Sequence, residues 1–298
     1  DFARELGYTM VELNPEPYAL IINGELNRCP LADFVAVLRN FNLRYSLHGL
    51  LRLNLAYDTR HELCKRIMAC QIEICRLAEI STLVYHSGLQ ALDELRYGMR
   101  SAPLTDDELQ AGADREVAAF RELAILAADA GVTIGMENGD PHLWEYALLK
   151  SHGLPRTLLP KHHARLRIEP IVRQLEAIDH PNVGLTLDVA HLYIAAHELN
   201  FDYLAAIEAA APWVKHLHAN DNFGKLDSGV DQESDRWAFG EADVHLPPGW
   251  GTIPFRNVFE RLPHYRGDLI LEIKPGFADS FAGSLYTLKA LLEGKDTF

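Results

Sequence analysis

The feature that most constrains the fold of this chain is a regular alternation of short β-branched runs with longer amphipathic stretches. Parallel strands joined by crossover helices produce such an alternation, and no linker or low-complexity segment interrupts it. The predicted strands are Tyr8–Leu13, Leu43–His48, Thr82–His86, Val132–Glu137, Val183–Asp188, Val214–His218 and Leu269–Glu272.

The stretches between these strands carry apolar residues at helical spacing. Leu63, Ile67 and Cys70, for example, recur along Glu62–Glu79 and would share one face of a helix. Asp114–Ala130 and Phe201–Ala210 have the same pattern, and Gly131 and Pro212 follow them as stop signals. Three crossover helices are thus predicted.

Strand–helix alternation over 298 residues predicts an α/β fold, a (β/α)8 TIM barrel. Seven strands are counted where a closed barrel needs eight. The chain opens in a helix-like stretch, Phe2–Gly7, so the first strand is expected to be missing from the recorded sequence. An open doubly wound sheet is the competing arrangement. The domain prediction is a single barrel over residues 1–298 with an insertion at about 143–168.

Six of the seven predicted strands finish on a side chain that can bind a metal: His48, His86, Glu137, Asp188, His218 and Glu272. His, Asp and Glu are about one residue in five of this chain. With one residue of slack allowed at each strand end, six such ends have a chance of roughly one in a hundred. A parallel barrel brings all strand carboxyl ends to one face, whereas an open sheet spreads them along an edge. This convergence favours the barrel and a metal centre.

Two further clusters extend the candidate site. His191 follows Asp188 by one helical turn. Asp243 and His245 alternate in what we expect to be extended chain, which would turn both side chains the same way. A set of carboxylates and imidazoles without thiolate suits manganese, zinc, iron, cobalt or magnesium.

Charge and cysteine content restrict the partners. The net charge of −14 argues against broad binding to a nucleic acid backbone, which needs a basic face. No apolar run is long enough to span a bilayer, no signal-peptide layout opens the chain, and the four cysteines have no C-x-x-C spacing. We expect a cytoplasmic protein with a small-molecule sugar or polyol substrate and no membrane partner. A homo-oligomer is left open.

The motifs Leu187–His191, His216–Asp221 and Asp243–Gly251 carry a family resemblance. At these residues the chain resembles the xylose-isomerase-like TIM-barrel superfamily, which holds sugar isomerases and epimerases, inosose dehydratases and AP endonucleases. The matching stretches run from Glu5–Leu13 to Leu269–Ile273, nearly the whole chain.

The resemblance implies a divalent metal bound by Glu137, Asp188, His218 and Glu272, as in the isomerases and epimerases. Glu137 and Glu272 would also act in catalysis, moving a proton beside a carbonyl through an enediolate. The implied reaction is isomerisation or epimerisation of a sugar, sugar phosphate or inosose-type polyol. One metal per chain (Mn, Zn, Co or Mg) is favoured, and up to three could bind.

Three alternatives stay open. An AP-endonuclease-type zinc phosphodiester hydrolase would use nine ligands, adding His48, His86, His191, Asp243 and His245 to the four; in the sugar enzymes these five would be further metal or substrate ligands. A dehydratase could act through the same enediolate, and a barrel could bind a sugar or metal without turnover.

Two insertions are candidates for substrate binding. The segment at about 143–168 is basic in an acidic protein, which suggests a lid whose Arg156 and Lys161 hold an anionic substrate group; a solvated insertion or subunit contact is the alternative. The segment 222–242 ends in an aromatic run and could close over the pocket or form a surface loop. Trp250 is predicted to contact the substrate.

Overall fold

The computed structural model describes residues 2–86, 91–229 and 233–295. They fold as two compact units. The first comprises Asp1–Gln90, Leu104–Glu137 and Ile171–Thr186, and the second comprises Ala91–Pro103, Asn138–Pro170 and Leu187–Phe298.

Strands and helices alternate along both units. The strands are β1 (Met10–Leu13), β2 (Ile21–Ile22), β3 (Glu25–Leu26), β4 (Arg44–His48), β5 (Thr82–Tyr85), β6 (Thr133–Glu137), β7 (Val183–Asp188), β8 (Val214–Ala219) and β9 (Asp268–Leu271). The α-helices are α1 (Phe2–Glu5), α2 (Arg28–Leu38), α3 (His61–Ala78), α4 (Asp93–Arg96), α5 (Asp106–Asp129), α6 (Leu143–Ser151), α7 (Leu159–His162), α8 (Ile168–Ile178), α9 (Val189–Leu199), α10 (Tyr203–Ala210), α11 (Glu233–Phe239), α12 (Phe255–Glu260) and α13 (Phe281–Leu292).

The first unit is built on parallel pairing of β1 with β4, β4 with β5, β5 with β6, and β6 with β7. Every residue of β5 and of β7 is buried, as expected for parallel strands covered on both faces. Gly135 of β6 faces Thr186 of β7, and a Cβ at Gly135 would lie 2.0 Å from the Thr186 Oγ1 atom. Only glycine therefore permits this approach. β2 and β3 form a separate antiparallel hairpin.

The second unit contains the parallel pair of β8 and β9 and the helix α9, which follows β7 without a loop. The insertion at about 143–168 is folded, with α6 and α7 packing their apolar side chains into one cluster. Leu149, Leu159 and Leu166 are completely buried in it, against Ala195 of α9. The segment therefore contributes to the core of its unit.

The seven predicted strands are confirmed as β1 and β4 to β9, although β5 and β9 each end one residue before the expected His86 and Glu272. The expected start of a helix at Asp114 is wrong, because α5 begins at Asp106. The Thr105 hydroxyl accepts from the Glu108 backbone N–H and the Glu108 carboxylate accepts from the Thr105 N–H. Such a capping box stabilises a helix start by about 1 kcal/mol and overrides the weak periodicity of this polar stretch.

Candidate metal centre

In the first unit, four potential ligands lie at or near the carboxyl ends of strands. His48 ends β4, Glu137 ends β6 and His86 directly follows β5. The His48 Nε2 atom lies 3.8 Å from Glu137 Oε2, and the rings of His48 and His86 have centroids 5.5 Å apart. Glu12, in β1, places a carboxylate oxygen within 4.8 Å of a His48 ring nitrogen. The fold brings these residues together. The role of His48, His86 and Glu137 as ligands stays a prediction, and Glu12 was not predicted.

In the second unit, Asp188, His218 and Glu272 form what we call the strand-end group. Each offers one ligand atom, and these atoms lie within 4.8 Å of one another. The His218 Nδ1 atom lies 3.9 Å from Asp188 Oδ2 and 3.5 Å from Glu272 Oε2. Asp188 and His218 are completely buried. Two carboxylates and an imidazole at these distances form a usual donor set for a divalent cation.

The two carboxylate oxygens of Asp188 have different contacts, one with the start of a helix and the other with the strand-end group. Its Oδ1 atom caps helix α9 by accepting hydrogen bonds of 2.7 Å from the backbone N–H groups of Ala190 and His191. Its Oδ2 atom faces His218. The cap positions the first turn of α9, and with it His191, relative to the strand-end group.

A second cluster of the same unit, here called the loop group, consists of His191, Asp243 and His245. Their ligand atoms also lie within 4.8 Å of one another. Asp243 Oδ2 lies 3.3 Å from His191 Nε2 and is in close contact with His245 Nε2. The His191 Nδ1 atom bonds the Asn138 carbonyl at 3.0 Å, and the His245 Nδ1 atom bonds the Glu272 carbonyl at 2.7 Å. Bonds of this kind fix imidazole orientation in metal sites.

The expectation that Asp243–His245 is extended chain is wrong. His245 has a φ of 47°, in the left-handed region that non-glycine residues rarely adopt. The bend at His245 lets the next residue, Leu246, exchange two backbone hydrogen bonds with Asp221 while the imidazole returns to the Glu272 carbonyl. The two side chains of the pair therefore meet through a turn that tertiary contacts hold.

The loop group has strongly perturbed protonation equilibria. Burial opposes ionisation of Asp243, but the imidazoles of His245 and His191 outweigh this effect and hold the pKa of the carboxyl well below its usual range. Burial alone would lower the pKa of His245, but Asp243 raises it to about 9. A histidine whose pKa is raised to about 9 keeps its proton at neutral pH, so metal binding to His245 would release a proton.

The donor atoms themselves fit a divalent cation. Asp243 Oδ1 and Glu272 Oε2 are buried side-chain oxygens without a hydrogen-bond partner among the described residues. Leaving a buried carboxylate oxygen unsatisfied is costly, and a bound metal ion would satisfy both atoms. None of the donors is a thiolate, which agrees with the predicted preference for manganese, zinc, cobalt or magnesium.

Two contributors were missed by reasoning from sequence. Asn138 makes paired 2.9 Å hydrogen bonds with the backbone N–H and carbonyl of Asp188, and its own carbonyl bonds His191. It thus touches a residue of each group, but an amide next to Glu137 has no distinctive pattern. The second is Glu12, for which the sequence does carry a signal. It lies next to the last residue of β1, the one predicted strand to which no ligand was assigned.

Some cationic side chains of the basic segment 143–168 make contacts within the protein, which the lid hypothesis did not include. The Arg156 guanidinium bonds the Glu198 carboxylate at 2.5 Å and lies 3.9 Å from the centroid of the Tyr146 ring. Arg165 is completely buried. Lys161 is exposed on α7. The substrate contacts predicted for Arg156 and Lys161 stay predictions.

Trp250 is presented to solvent by the second unit. It is 55% exposed, and its ring meets Phe277 edge-on with centroids 5.6 Å apart. Phe277 in turn lies 4.8 Å from Trp237. An exposed indole supported by two further rings suits contact with the apolar face of a sugar, and the substrate contact of Trp250 stays a prediction.

Residues 1–286 match the family described as xylose isomerase-like TIM barrel. The chain belongs to this family. The predicted resemblance and the α/β TIM-barrel class are therefore confirmed.

Solved members of the fold are similar over nearly the whole chain. A D-tagatose 3-epimerase-like protein is 20% identical, with a TM-score of 0.67 over 97% of this chain and 90% of that one. The IolI protein with a bound zinc atom is 15% identical, with a TM-score of 0.63 over 100% and 92%. The probable 3-DHS dehydratase AsbF of Bacillus anthracis is 16% identical, with a TM-score of 0.63 over 97% and 91%. At these identities the likeness establishes the fold alone.

One relative found by sequence does not indicate an activity for this chain. An uncharacterized protein of Methanocaldococcus jannaschii is 25% identical over 182 residues, which cover 60% of this chain and 49% of that protein. The chain therefore spans about half the length of this relative. Among the described residues, no helix has the length and apolar character needed to cross a membrane.

Proposed function

We propose that this chain is a divalent-metal-dependent isomerase or epimerase of a sugar, sugar phosphate or inosose-type polyol. The strand-end group carries the proposal. Asp188, His218 and Glu272 offer ligand atoms within 4.8 Å of one another, and the buried Glu272 Oε2 atom has no hydrogen-bond partner among the described residues. Such a set is suited to one cation that keeps positions open for a substrate.

We add Glu137 as the fourth ligand of this cation. The family resemblance places a ligand at Glu137, and the peptide bond joins it to Asn138. The Asn138 side chain is bonded on both sides to the backbone of Asp188. Glu137 is also completely buried.

The chemistry follows from two carboxylates that belong to separate strands. A divalent cation would stabilise the negative charge that develops on the substrate oxygens when a proton leaves the carbon beside a carbonyl. One of Glu137 and Glu272 would accept that proton, and the other would return a proton to the opposite face or to the next carbon. Asp188 and His218 would hold the site without moving protons.

The similar solved structures support sugar chemistry as the first class to test. They include a D-tagatose 3-epimerase-like protein, a D-psicose 3-epimerase and an L-ribulose 3-epimerase. The zinc atom bound to the IolI protein supports a divalent cation in this fold. The substrate would be a small molecule, bound beside Trp250, with Arg156 and Lys161 as predicted anion contacts. The cytoplasmic location remains a prediction.

A second function is favoured by the loop group. His191, Asp243 and His245 form a candidate site for a further cation, and a zinc phosphodiester hydrolase of the AP endonuclease type would use several. A dehydratase on the same scaffold would need only the strand-end group. The number and identity of bound metals therefore separate the hydrolase from the other two.

Elemental analysis of the purified, unsupplemented protein by plasma mass spectrometry tests the proposal. We expect at least one manganese, cobalt, magnesium or zinc ion per chain, which H218A should lose. A Lys161→Ala variant serves as a matched control, since it should retain the ion. Three zinc ions together with cleavage of abasic-site DNA would favour the hydrolase. Protein that binds none of these metals, even after they are added back, would contradict both functions.

A further inference from the structure

A buried carboxylate outside both ligand groups organises the loop that follows His245. Asp221, completely buried after β8, accepts four backbone hydrogen bonds. Its Oδ2 atom accepts from Gly249 at 2.8 Å and Gly251 at 2.9 Å, and its Oδ1 atom accepts from Asn222 at 2.9 Å and Ile253 at 3.1 Å. One side chain thus holds three N–H groups of the loop 246–253.

The loop is shaped for this carboxylate. A Cβ at Gly251 would lie 2.3 Å from Asp221 Oδ1 and 2.3 Å from the Asn222 carbonyl oxygen. Gly249 has a φ of 92°, which a residue with a side chain rarely adopts. Both glycines let the backbone approach and point its N–H groups at the carboxylate.

Asp221 and its neighbour reach the parts of the chain that carry the loop group. The backbone of Asp221 pairs with Leu246 in both directions, at 2.8 and 3.0 Å, directly after His245. The Asn222 side chain donates to the Ala190 carbonyl at 3.0 Å, directly before His191. His245 and His191 are therefore each adjacent to a residue that Asp221 or Asn222 contacts. Asp243 lies a few residues before Leu246 in the same turn.

A further link ties the loop to helix α9. The Tyr193 hydroxyl donates to the Thr252 carbonyl at 3.2 Å, and the Thr252 N–H donates to the Asn222 carbonyl at 2.9 Å. Thr252 lies between two residues whose N–H groups bond the Asp221 carboxylate. Release of the carboxylate would loosen the loop on the His245 side and on the His191 side.

We propose that Asp221 is a positioning residue for a cation bound by the loop group, holding His191, Asp243 and His245 in the geometry that binds the metal. The inference rests on the metal dependence of the proposed function and adds a residue that touches neither metal nor substrate. Residues that orient metal ligands typically change metal affinity by about 10- to 100-fold when replaced.

The substitution Asp221→Asn tests this role with little change in volume. An amide has one acceptor oxygen where the carboxylate has two, and its NH2 group would face backbone N–H donors. We expect the affinity of one Zn²⁺ ion, measured by calorimetric titration of the metal-free protein, to fall by about 10- to 100-fold. The ion of the strand-end group should keep its affinity.

Three further variants make the result specific. Gly251→Ala should weaken the same ion, because the added Cβ displaces the carboxylate from the other side. D221N combined with H245A should weaken binding no more than H245A alone. Asp202→Asn is the matched control, since Asp202 also accepts a backbone hydrogen bond, from Ala205 at 3.0 Å, but does so at the cap of α10. D202N should leave both ions unchanged.

The outcomes separate this inference from the proposed function. If D221N and G251A fold by circular dichroism and bind both ions like the unmodified chain, the positioning role is wrong and the function stands. An equal weakening of both ions would also contradict it. Should D221N fail to fold, G251A decides alone. If the unmodified chain binds a metal only at the strand-end group, the positioning role is contradicted and the function stands. If the unmodified chain binds no metal at all, the proposed function fails first.

Discussion

The strand-end group and the loop group have the same chemistry but are positioned in different ways. Asp188 and His218 belong to strands, and Glu272 directly follows one, so each of the three is held at or next to a strand end. The loop group combines His191 on a helix with two residues of a turn that Asp221 and the Glu272 carbonyl hold. The positions of the strand-end ligands are set by strands that the local sequence specifies. The loop group depends instead on hydrogen bonds between segments that are distant in the sequence. We therefore expect the two groups to respond differently to substitution.

The largest effect is expected at Asp188, the residue that serves both groups. Asp188→Ala removes a ligand of the strand-end group and the cap that positions His191. We expect loss of metal at both groups and a loss of turnover on the order of 100-fold or more, beyond that of a residue that only orients ligands. Metal content and activity are measured on the same preparation. Asp188→Asn keeps a cap acceptor, so it should spare more of the loop-group ion than D188A.

His245→Ala should separate the groups instead. It removes one imidazole of the loop group while Asp188, His218 and Glu272 stay in place. We expect the number of Zn²⁺ ions bound in calorimetric titration to fall by one and the remaining ion to keep its affinity. His264→Ala, a histidine outside both groups, is the control. Loss of both ions in H245A would mean that the groups form one cooperative site, and the comparison would fail.

A third test concerns Glu145, a carboxylate that lies outside both ligand groups and is paired with histidines. Glu145 is buried, and one of its carboxylate oxygens lies 2.8 Å from His163 Nδ1. Burial would raise its pKa, but His163 and His142 outweigh this and lower it from 4.5 to about 2. A depressed pKa means stability that is present above pH 4.5 and is lost as the pH falls towards 2.

The variant Glu145→Gln should therefore be less stable than the unmodified chain by about 3 kcal/mol at neutral pH, as expected when a buried ion pair is broken. The difference should shrink between pH 4.5 and 2. Urea unfolding of both proteins with a chelator present measures it, and Glu241→Gln is the control. A difference that does not vary with pH would show that the ion pair contributes nothing.

The smallest effect is expected at the surface of the basic segment. Arg156 is held by Glu198 and Tyr146, so R156A should cost up to about 1 kcal/mol of stability and raise KM less than K161A does. K161A should raise KM if Lys161 holds an anionic substrate group. An unchanged KM in both variants would contradict the lid hypothesis.

The sequence allowed the strands and the residues at their ends to be predicted because both signals are local. Alternation, β-branched runs and a terminal His, Asp or Glu place Glu137, Asp188 and His218 at strand ends without knowledge of distant contacts. The start of α5 was misplaced because Asp106–Ala113 has little apolar periodicity and only Thr105 and Glu108 mark the cap.

The supporting residues could not be predicted in the same way. Asn138 and Asp221 act through hydrogen bonds to segments about 50 and 30 residues away, which no local pattern reveals. The left-handed turn at His245 depends on the same long-range contacts. The burial of Arg165, in a segment predicted to be a lid or else a solvated insertion or subunit contact, likewise follows from tertiary packing.

Proton exchange at carbon tests the central claim most directly. The metal-loaded protein would be incubated in D2O with ketoses, inososes and their phosphates, and deuterium beside the carbonyl would be followed by NMR. We expect deuterium incorporation into at least one member of the panel, lost on chelation and in D188A. No incorporation into any of these compounds, together with metal-dependent cleavage of abasic-site DNA by the same preparation, would contradict the claim.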